Sequence, residues 1–237
     1  MKKKDGFPGQ ISFVIPERIL ALINTNPLIA DLHITDIGYY PQARHHFRER
    51  PNGSDQFILI YCVDGQGEIH TKEALQAIGS DQFFIIPAGM PHSYRSDSQN
   101  PWSIYWIHFS GSKSAAYARF GGQIVSIERT NTSRINDRIE LFSEIFRNLD
   151  RGFSTETLEY VNQCLPHLLA SFTHLNQFRL ILESGEKNIV AQSINFMLEQ
   201  LTQKLKLEEI AAETGLSASH FSRLFVSKHS VNSVIFS

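Results

Sequence analysis

The spacing of the apolar residues changes part way along the chain, and that change limits the fold more than any other feature. Between Ile34 and Phe109 the apolar residues fall in short β-rich runs separated by turns. After Gly122 they recur with the period of a helix surface. Strands followed by helices indicate the α+β class. The close spacing of the strands predicts a small barrel or sandwich.

Three runs are the clearest candidate strands, because they combine β-branched and aromatic residues and end at turn residues. They cover residues 57–63, 82–86 and 103–109, and weaker candidates cover 34–40, 68–71 and 75–78. Upstream of them, a proline-containing stretch predicts an arm with a brief strand or helix.

Two helices are predicted after Gly122. The first carries apolar residues along one side from Ile135 to Leu149, and Ser154 can cap the second. The second helix has an apolar seam at alternating steps of three and four residues, and Pro166 is predicted to kink or break it. The seam fits a dimer contact and closure of the domain's own core equally well. Its residues are Leu158, Val161, Leu165, Leu168 and Phe172.

The stretch from Lys206 to Lys228 predicts two short helices joined by a tight turn. Leu207, Ile210 and Ala211 fall on one face of the first helix. Gly215 follows, and this helix ends there because glycine enters the left-handed conformation without steric cost. Two short helices crossing at a glycine turn form a helix-turn-helix. An ordinary helical hairpin is the alternative.

The second of these helices carries the residues that would face DNA. Ser217 can cap it, and Phe221 lies on its inner face. In a helix-turn-helix, exposed residues near the start of this helix enter the major groove. Ser219, Ser222 and Arg223 lie outward, and an arginine there can bind a guanine edge or a phosphate. A solvated helix face is the alternative for each of them.

Five histidines lie in the β-rich region, but their spacing does not predict a metal site. His45 and His46 are adjacent, so on a strand they point to opposite faces and cannot share an ion. The sequence contains no nucleophile motif and no glycine-rich phosphate loop. We therefore expect no metal, no cofactor and no catalytic residue, and an enzyme is not expected.

A small-molecule pocket is predicted at the mouth of the barrel. Tryptophan and tyrosine provide flat apolar walls with a polar edge, and the arginine fork suits hydroxyl or carboxylate groups. Packing in the core is the alternative for the two tryptophans. The candidate pocket residues are Arg50, Tyr94, Trp102 and Trp106.

Charge and composition restrict the partners and the compartment. The formal net charge is -2, which argues against a chain wrapped broadly on nucleic acid or on an anionic membrane. No apolar run is long enough to cross a bilayer, and the stretch from Met1 to Gly6 does not lead into a signal peptide. The two cysteines are expected to be reduced thiols. Together these features predict a cytoplasmic protein.

Two parts of the chain carry a family resemblance. Residues 207–225 resemble the first helix-turn-helix of the AraC/XylS family of bacterial transcription regulators, nearly position by position. Residues 85–94 and 101–109 are similar to that family's N-terminal cupin-type sensor domain. The resemblance implies a cupin-like β-barrel that holds a sugar or other small effector without metal. It also implies binding to double-stranded promoter DNA, commonly as a homodimer.

The resemblance also implies site residues. The effector contacts are Arg50, Tyr94 and Trp106, with His92 and Trp102 as further candidates. Ile104 stands where the family has a polar contact and Asp5 where its arm has a proline, which implies a different effector. The DNA contacts are Ser219, Ser222 and Arg223, with the cap Ser217 beside them.

The predicted order is arm, barrel, helical pair, linker and partial DNA-binding unit. These segments cover residues 1–35, 34–122, 123–182, 183–188 and 189–237, respectively. The family's DNA-binding unit is longer than the last segment and holds a second helix-turn-helix. After Phe225 the sequence departs from the family pattern, so a truncation or frameshift near Lys228 is expected. The alternative function is a stand-alone cupin that binds or transforms a small molecule, with a vestigial DNA-binding unit.

Overall fold

The structure is a computed structural model that describes residues 2–130, 132–179, 189, 193, 196, 197, 200 and 205–228, with side chains up to residue 224 in the last range. It comprises two units, Met1–Leu180 and Ile181–Ser237. Each unit has an apolar core of its own. The predicted linker and the predicted truncation beyond Lys228 fall outside the described residues.

Within the described residues, the first unit has ten strands in two antiparallel sheets. The strands are β1 (Ile11–Val14), β2 (His33–Tyr40), β3 (Phe47–Arg50), β4 (Phe57–Asp64), β5 (Gln66–Thr71), β6 (Leu75–Gly79), β7 (Gln82–Ile86), β8 (His92–Ser96), β9 (Ser103–Ser110) and β10 (Ile124–Ser126). One sheet has the order β1-β2-β9-β4-β7-β10, and the other has the order β3-β8-β5-β6. The two sheets form a barrel, and helices follow it, which confirms the α+β class.

The central strands of the six-stranded sheet are buried on both faces, because their residues alternate between two apolar cores. On β4, Leu59 and Tyr61 belong to the core shared with the helices, whereas Ile58 and Ile60 point into the barrel. A strand buried on both faces is a continuous apolar run, which is why β4, β7 and β9 stand out in the sequence. The three clearest predicted strands are therefore confirmed, with ends that differ by one residue at most.

Two strands that build the barrel interior do not stand out in the sequence. β3 carries Arg48 and Arg50, and β8 carries His92 and Tyr94. These strands pair antiparallel, with Arg48 opposite Tyr94 and Arg50 opposite His92. Because polar side chains occupy the inward positions, the apolar alternation that marks a strand is missing.

The described part of the first unit also has four α-helices and one 3₁₀ turn. They are α1 (Glu17–Ile23), the 3₁₀ turn Ser114–Tyr117, α2 (Ile135–Leu149), α3 (Thr155–Thr173) and α4 (Leu175–Phe178). Ser154 caps α3 as predicted, because its Oγ accepts a hydrogen bond from the backbone N–H of Thr157 at 3.2 Å. The helix continues through Pro166. The fully buried Leu165 and Leu168 on either side offset the cost of the proline.

The apolar seam of α3 closes the core of the single chain. Its residues Leu158, Val161, Leu165, Leu168 and Phe172 are 4%, 1%, 0%, 0% and 0% exposed, respectively. They pack in one cluster with residues of α2 and of the six-stranded sheet. The assignment of these five residues to a dimer contact is therefore wrong, since surface that the same chain already covers cannot meet a partner.

The second unit contains the predicted helix-turn-helix. Its helices are α5 (Leu207–Glu213) and α6 (Ala218–Lys228). Between them Gly215 has a φ of 70°, in the left-handed region, as predicted. The backbone N–H of Leu216 donates to the carbonyl of Ala211 at 3.0 Å, which closes the end of α5.

A small core holds α5 against α6. Ile210, Ala211 and Phe221 are buried, as predicted from their spacing. Leu207, which shares their apolar face by spacing, is 43% exposed. It is the first residue of α5, at the end of the helix away from the turn, where α6 does not cover it. Within the described residues, no helix is long and apolar enough to span a membrane.

Candidate functional site

A cavity of about 360 Å³ lies inside the barrel of the first unit. Three predicted effector contacts, Arg50, Tyr94 and Trp106, line it together. Nη1 of Arg50 donates to the Tyr94 hydroxyl at 3.3 Å. The Trp106 ring lies 5.2 Å from the Tyr40 ring, so two aromatic side chains meet in the wall. A cavity near the lower end of the usual range, about 300–1,000 Å³, suits a small metabolite.

His92, a fourth predicted contact, lies behind the cavity wall. Its ring stacks on the ring of Tyr94, with centroids 5.9 Å apart and planes 9° apart. Its Nδ1–H donates to the carbonyl of Met90 at 2.7 Å, and its Nε2 lies 3.4 Å from Nη1 of Arg50. Burial is the main cause that lowers the pKa of this imidazole. His92 therefore supports two lining side chains and does not itself line the cavity.

Trp102, the fifth predicted contact, is a core residue. It is 0% exposed, and it does not line the cavity. Its ring packs so closely on Gly67 that a Cβ there would come within 2.2 Å of the indole. Its Nε1–H donates to Nδ1 of His46 at 3.3 Å. The assignment of Trp102 to effector contact is wrong, because the chain's own residues, Gly67 and His46 among them, enclose its ring.

Several lining residues are absent from the sequence prediction. His46 and Arg48 line the cavity beside Arg50. The three positions alternate along one extended segment, so they share a face. Side chains on one face of a strand are two residues apart, so counting back from Arg50 gives Arg48 and then His46. This requires only the prediction that the segment is a strand.

A carboxylate on the six-stranded sheet also lines the cavity, and it has hydrogen-bond partners of its own. Asp36 on β2 accepts from Thr35 Oγ1 at 2.8 Å and lies 3.4 Å from Nδ1 of His108. Nδ1–H of His108 also donates to Oε1 of Gln56 at 2.9 Å. Burial opposes ionisation of Asp36, but the contacts with His108 and Thr35 prevail and lower its pKa. Asp36 is therefore ionised and already hydrogen-bonded.

The N-terminal arm runs along the cavity. The backbone of Lys3 pairs with that of the β3 segment, since its N–H donates to the His45 carbonyl and its carbonyl accepts from Phe47, both at 2.9 Å. Phe7 is buried, with its ring 5.0 Å from the ring of Tyr40. Asp5, between these two anchors, lines the cavity. The residue that differs from the family's arm is thus placed at the site.

The buried histidines around the cavity, His46, His92 and His108, have lowered pKa values, which favour the neutral imidazole. Burial, followed by the charges of Arg48 and Arg50, lowers the pKa of His46 to about 3. Burial also lowers the pKa of His108. Among the described residues, no group of three or more His, Cys, Asp or Glu side chains is arranged to hold a metal ion.

The second unit presents a polar groove along α6. Ser217, His220, Arg223 and Leu224 line it. Ser217, Ser219, His220 and Arg223 are exposed, and Ser222 is half-buried. Nε of Arg223 donates to the Ser219 carbonyl at 3.3 Å, and the backbone N–H of His220 donates to Ser217 Oγ at 3.4 Å. His220 is absent from the sequence prediction, although its position one turn before Leu224 places it at this edge.

Two family profiles match the chain. The AraC-like ligand binding domain matches residues 37–161, which is more than half of the chain. The helix-turn-helix of AraC-family bacterial regulatory proteins matches residues 197–226. The barrel is thus a cupin-like sensor domain followed by helices.

Curated relatives are regulators of operons. The MmsAB operon regulatory protein of Pseudomonas aeruginosa is 28% identical over 212 residues, which cover 87% of this chain and 66% of that protein. The Msm operon regulatory protein of Streptococcus mutans is 24% identical over 186 residues, 74% and 63% of the two chains. The raffinose operon transcriptional regulatory protein RafR of Pediococcus pentosaceus is 33% identical over 63 residues, 25% and 22%. The chain therefore spans slightly less than two thirds of the length of the first two relatives.

Among solved structures, the AraC-like transcriptional activator CuxR matches with a TM-score of 0.36 and 12% identity, over 92% of this chain and 88% of that chain. Wild-type ToxT of Vibrio cholerae also gives a TM-score of 0.36, over 85% and 91%. Similarity at this level supports no functional inference. The two profile matches, with the ligand-binding domain first and the helix-turn-helix second, show that the chain belongs to the AraC family of bacterial regulatory proteins.

Proposed function

We propose that this protein regulates transcription by binding a small polar effector in the barrel cavity and double-stranded promoter DNA through α6. The observation that carries the proposal is the presence, in one chain, of a lined cavity and a folded helix-turn-helix. The relatives named above are operon regulatory proteins, which supports a regulatory and non-enzymatic role. A protein that acts on bacterial promoter DNA works in the cytoplasm.

The lining of the cavity favours a small, hydroxyl-rich metabolite such as a carbohydrate. Tyr40, Tyr94 and Trp106 offer flat rings with polar edges, and such rings pack on the apolar faces of sugars. Arg50 and Gln56 offer polar groups at the rim. One relative regulates a raffinose operon, which agrees with this class of effector.

The DNA surface is proposed on the exposed side of α6. Ser219 and Arg223 point away from the core of the unit, as residues that reach base edges or phosphates must. A homodimer forms part of the proposal, because paired half-sites suit two copies of one reading helix. Its contact would lie outside the five seam residues of α3, which one chain already buries.

The test is binding of the full chain to double-stranded DNA from upstream of its own coding sequence. Fluorescence anisotropy would be recorded at several salt concentrations, with a scrambled duplex of the same composition for comparison. We expect a specific complex that Arg223→Ala weakens by about ten-fold or more, since a base or phosphate contact contributes about 1–3 kcal/mol. Arg151→Ala, an exposed arginine of the sensor unit, is the matched control and should bind as the wild type does. Equal binding to both duplexes at every salt concentration would refute the proposal.

A further inference from the structure

We propose that the effector carries a carboxylate, held by Arg48, Arg50 and the Nε2–H of His46. This inference rests on the proposed effector-sensing function and narrows its ligand class to small hydroxy acids of sugar-acid size. It depends on three observations: the alignment of the three side chains, the lack of a carboxylate partner for either arginine, and an unused donor on His46.

The three side chains form one row inside the cavity. His46, Arg48 and Arg50 occupy alternate positions on the β3 segment, and all three line the cavity. The intervening residues Phe47 and Glu49 lie on the other face of this segment and do not line the cavity. A ligand beside β3 therefore meets two guanidinium groups and one imidazole along the same edge.

Neither guanidinium is neutralised within the described part of the chain. No Asp or Glu side chain lies within ion-pair distance of Arg48 or Arg50 there. Among the described residues, Nη1 of Arg50 lies 3.3 Å from Tyr94 Oη and 3.4 Å from His92 Nε2. The remaining N–H groups of its fork are available to a planar, bidentate acceptor, and a carboxylate is such a group.

His46 adds a buried donor that needs an acceptor. The residue is 2% exposed, and its Nδ1 accepts a hydrogen bond from Nε1–H of Trp102. The proton of the neutral imidazole therefore sits on Nε2. That Nε2 has no hydrogen-bond partner among the described residues, and neither has Nε1 of Trp106 in the same cavity. Buried donors without acceptors are costly, so a ligand rich in acceptor oxygens would satisfy them.

The charges of the lining favour a monoanion over a dianion. Two carboxylates, Asp36 and Asp5, line the same cavity as the two guanidinium groups. Asp36 is already held by Thr35 and His108, so it does not compete for Arg50 at close range. Its negative charge would repel a doubly charged phosphate more than a single carboxylate. Hydroxyl groups on the same ligand would suit Asp5 and Gln56.

The proposal is tested with pairs of ligands that differ only in the acid group. D-glucuronate is compared with D-glucose, D-galacturonate with D-galactose, and lactate with 1,2-propanediol, with sodium chloride added to the neutral member to match ionic strength. The chain has two tryptophans, and both lie in the barrel, so intrinsic fluorescence of the full chain reports on this cavity. We expect at least one acid to bind about ten-fold more tightly than its neutral partner. Binding of neutral members as tight as that of the acids, or no response to any of the three acids, would overturn it.

Variants locate the binding group. Arg48→Gln and Arg50→Gln are made separately, and each should weaken binding of the preferred acid by about ten-fold. Arg44→Gln is the matched control, because Arg44 is exposed and lies outside the cavity. Full affinity in both cavity variants would also overturn the proposal, and circular dichroism shows whether each variant is folded.

The two proposals can fail independently. If neutral sugars alone bound in the cavity, the carboxylate proposal would be wrong while effector sensing would stand. If no DNA complex formed, the regulatory function would fail while the anion site would stand.

Discussion

His46 belongs both to the buried core of the barrel and to the wall of the cavity. Nδ1 accepts the hydrogen bond of the buried Trp102, Nε2 is buried without a hydrogen-bond partner among the described residues, and the side chain lines the cavity. The same ring lies edge-on to Phe7 of the arm, with centroids 5.3 Å apart. Its neutral state is therefore a condition for core packing, because a protonated Nδ1 could not accept the hydrogen bond of Trp102.

The low pKa of His46 predicts a pH dependence of stability. The folded-state pKa of about 3 lies below the ordinary value of 6.5, so the unfolded chain binds the proton more readily between these values. Stability is therefore fully present above about pH 6.5 and is lost as the pH falls from there towards 3. At about pH 5.5 the loss from this residue should be roughly 1 kcal/mol.

The measurement is the free energy of unfolding in urea at about pH 7.5 and about pH 5.5. His46→Gln should show a smaller difference between the two values than the wild type. His45→Asn is the control, because His45 is exposed, and asparagine tolerates its left-handed φ of 64°. A His46→Gln protein with the full wild-type pH dependence would contradict the assignment of this proton.

At the scale of elements, α3 shows that a helical pattern does not say which surface a helix covers. Its seam has the heptad spacing that also occurs in dimeric coiled coils. In the fold, the aromatic ring of Phe172 lies 5.1 Å from Phe83 of β7 and 5.2 Å from Tyr61 of β4. The seam thus packs on the outer face of the six-stranded sheet and covers it.

A core role for the seam predicts a large loss of stability on truncation. Leu168→Ala should lower the free energy of unfolding by about 2–5 kcal/mol, because Leu168 is fully buried. Gln163→Ala, on the exposed side of the same helix, should change it by no more than about 0.5 kcal/mol. Denaturant unfolding gives both values, and light scattering gives the mass of each protein. A stable Leu168→Ala protein with a reduced oligomeric mass would instead identify the seam as a dimer contact.

At the scale of the whole molecule, the chain consists of two units with separate cores. The first combines the barrel with α2 and α3 around two large apolar clusters. Among its described residues, the second has a cluster around Ile210, Ala211 and Phe221. We expect the sensor unit to be the more stable of the two, because its clusters bury a large apolar surface.

This division predicts that residues 1–180 fold without the rest of the chain. The isolated segment should unfold cooperatively, with a midpoint close to the high-temperature transition of the full chain, because its core contacts are internal. Differential scanning calorimetry of both proteins provides the comparison. A segment without a cooperative transition would show that its fold depends on residues beyond 180.

The sequence was most informative where a strand or helix buries a regular apolar pattern. The runs that became β4, β7 and β9 are continuous because both faces of those strands are covered. The turn at Gly215 was predictable because its backbone conformation excludes most other residues. Arg50, Tyr94 and Trp106 were identified through the family resemblance, and the fold brings all three to one cavity.

By itself, then, the sequence determined the class of the fold, the presence of the helix-turn-helix, and its position after the barrel. Local spacing and backbone preference suffice for these, because they are properties of neighbouring residues. Only the tertiary structure decided that Trp102 is core, that the α3 seam faces its own sheet, and that His46 and Arg48 join Arg50. These are contacts between segments far apart in the chain, where a side chain's role depends on what the fold places opposite it. The spacing of residues within a single strand or helix cannot predict which segment packs against it.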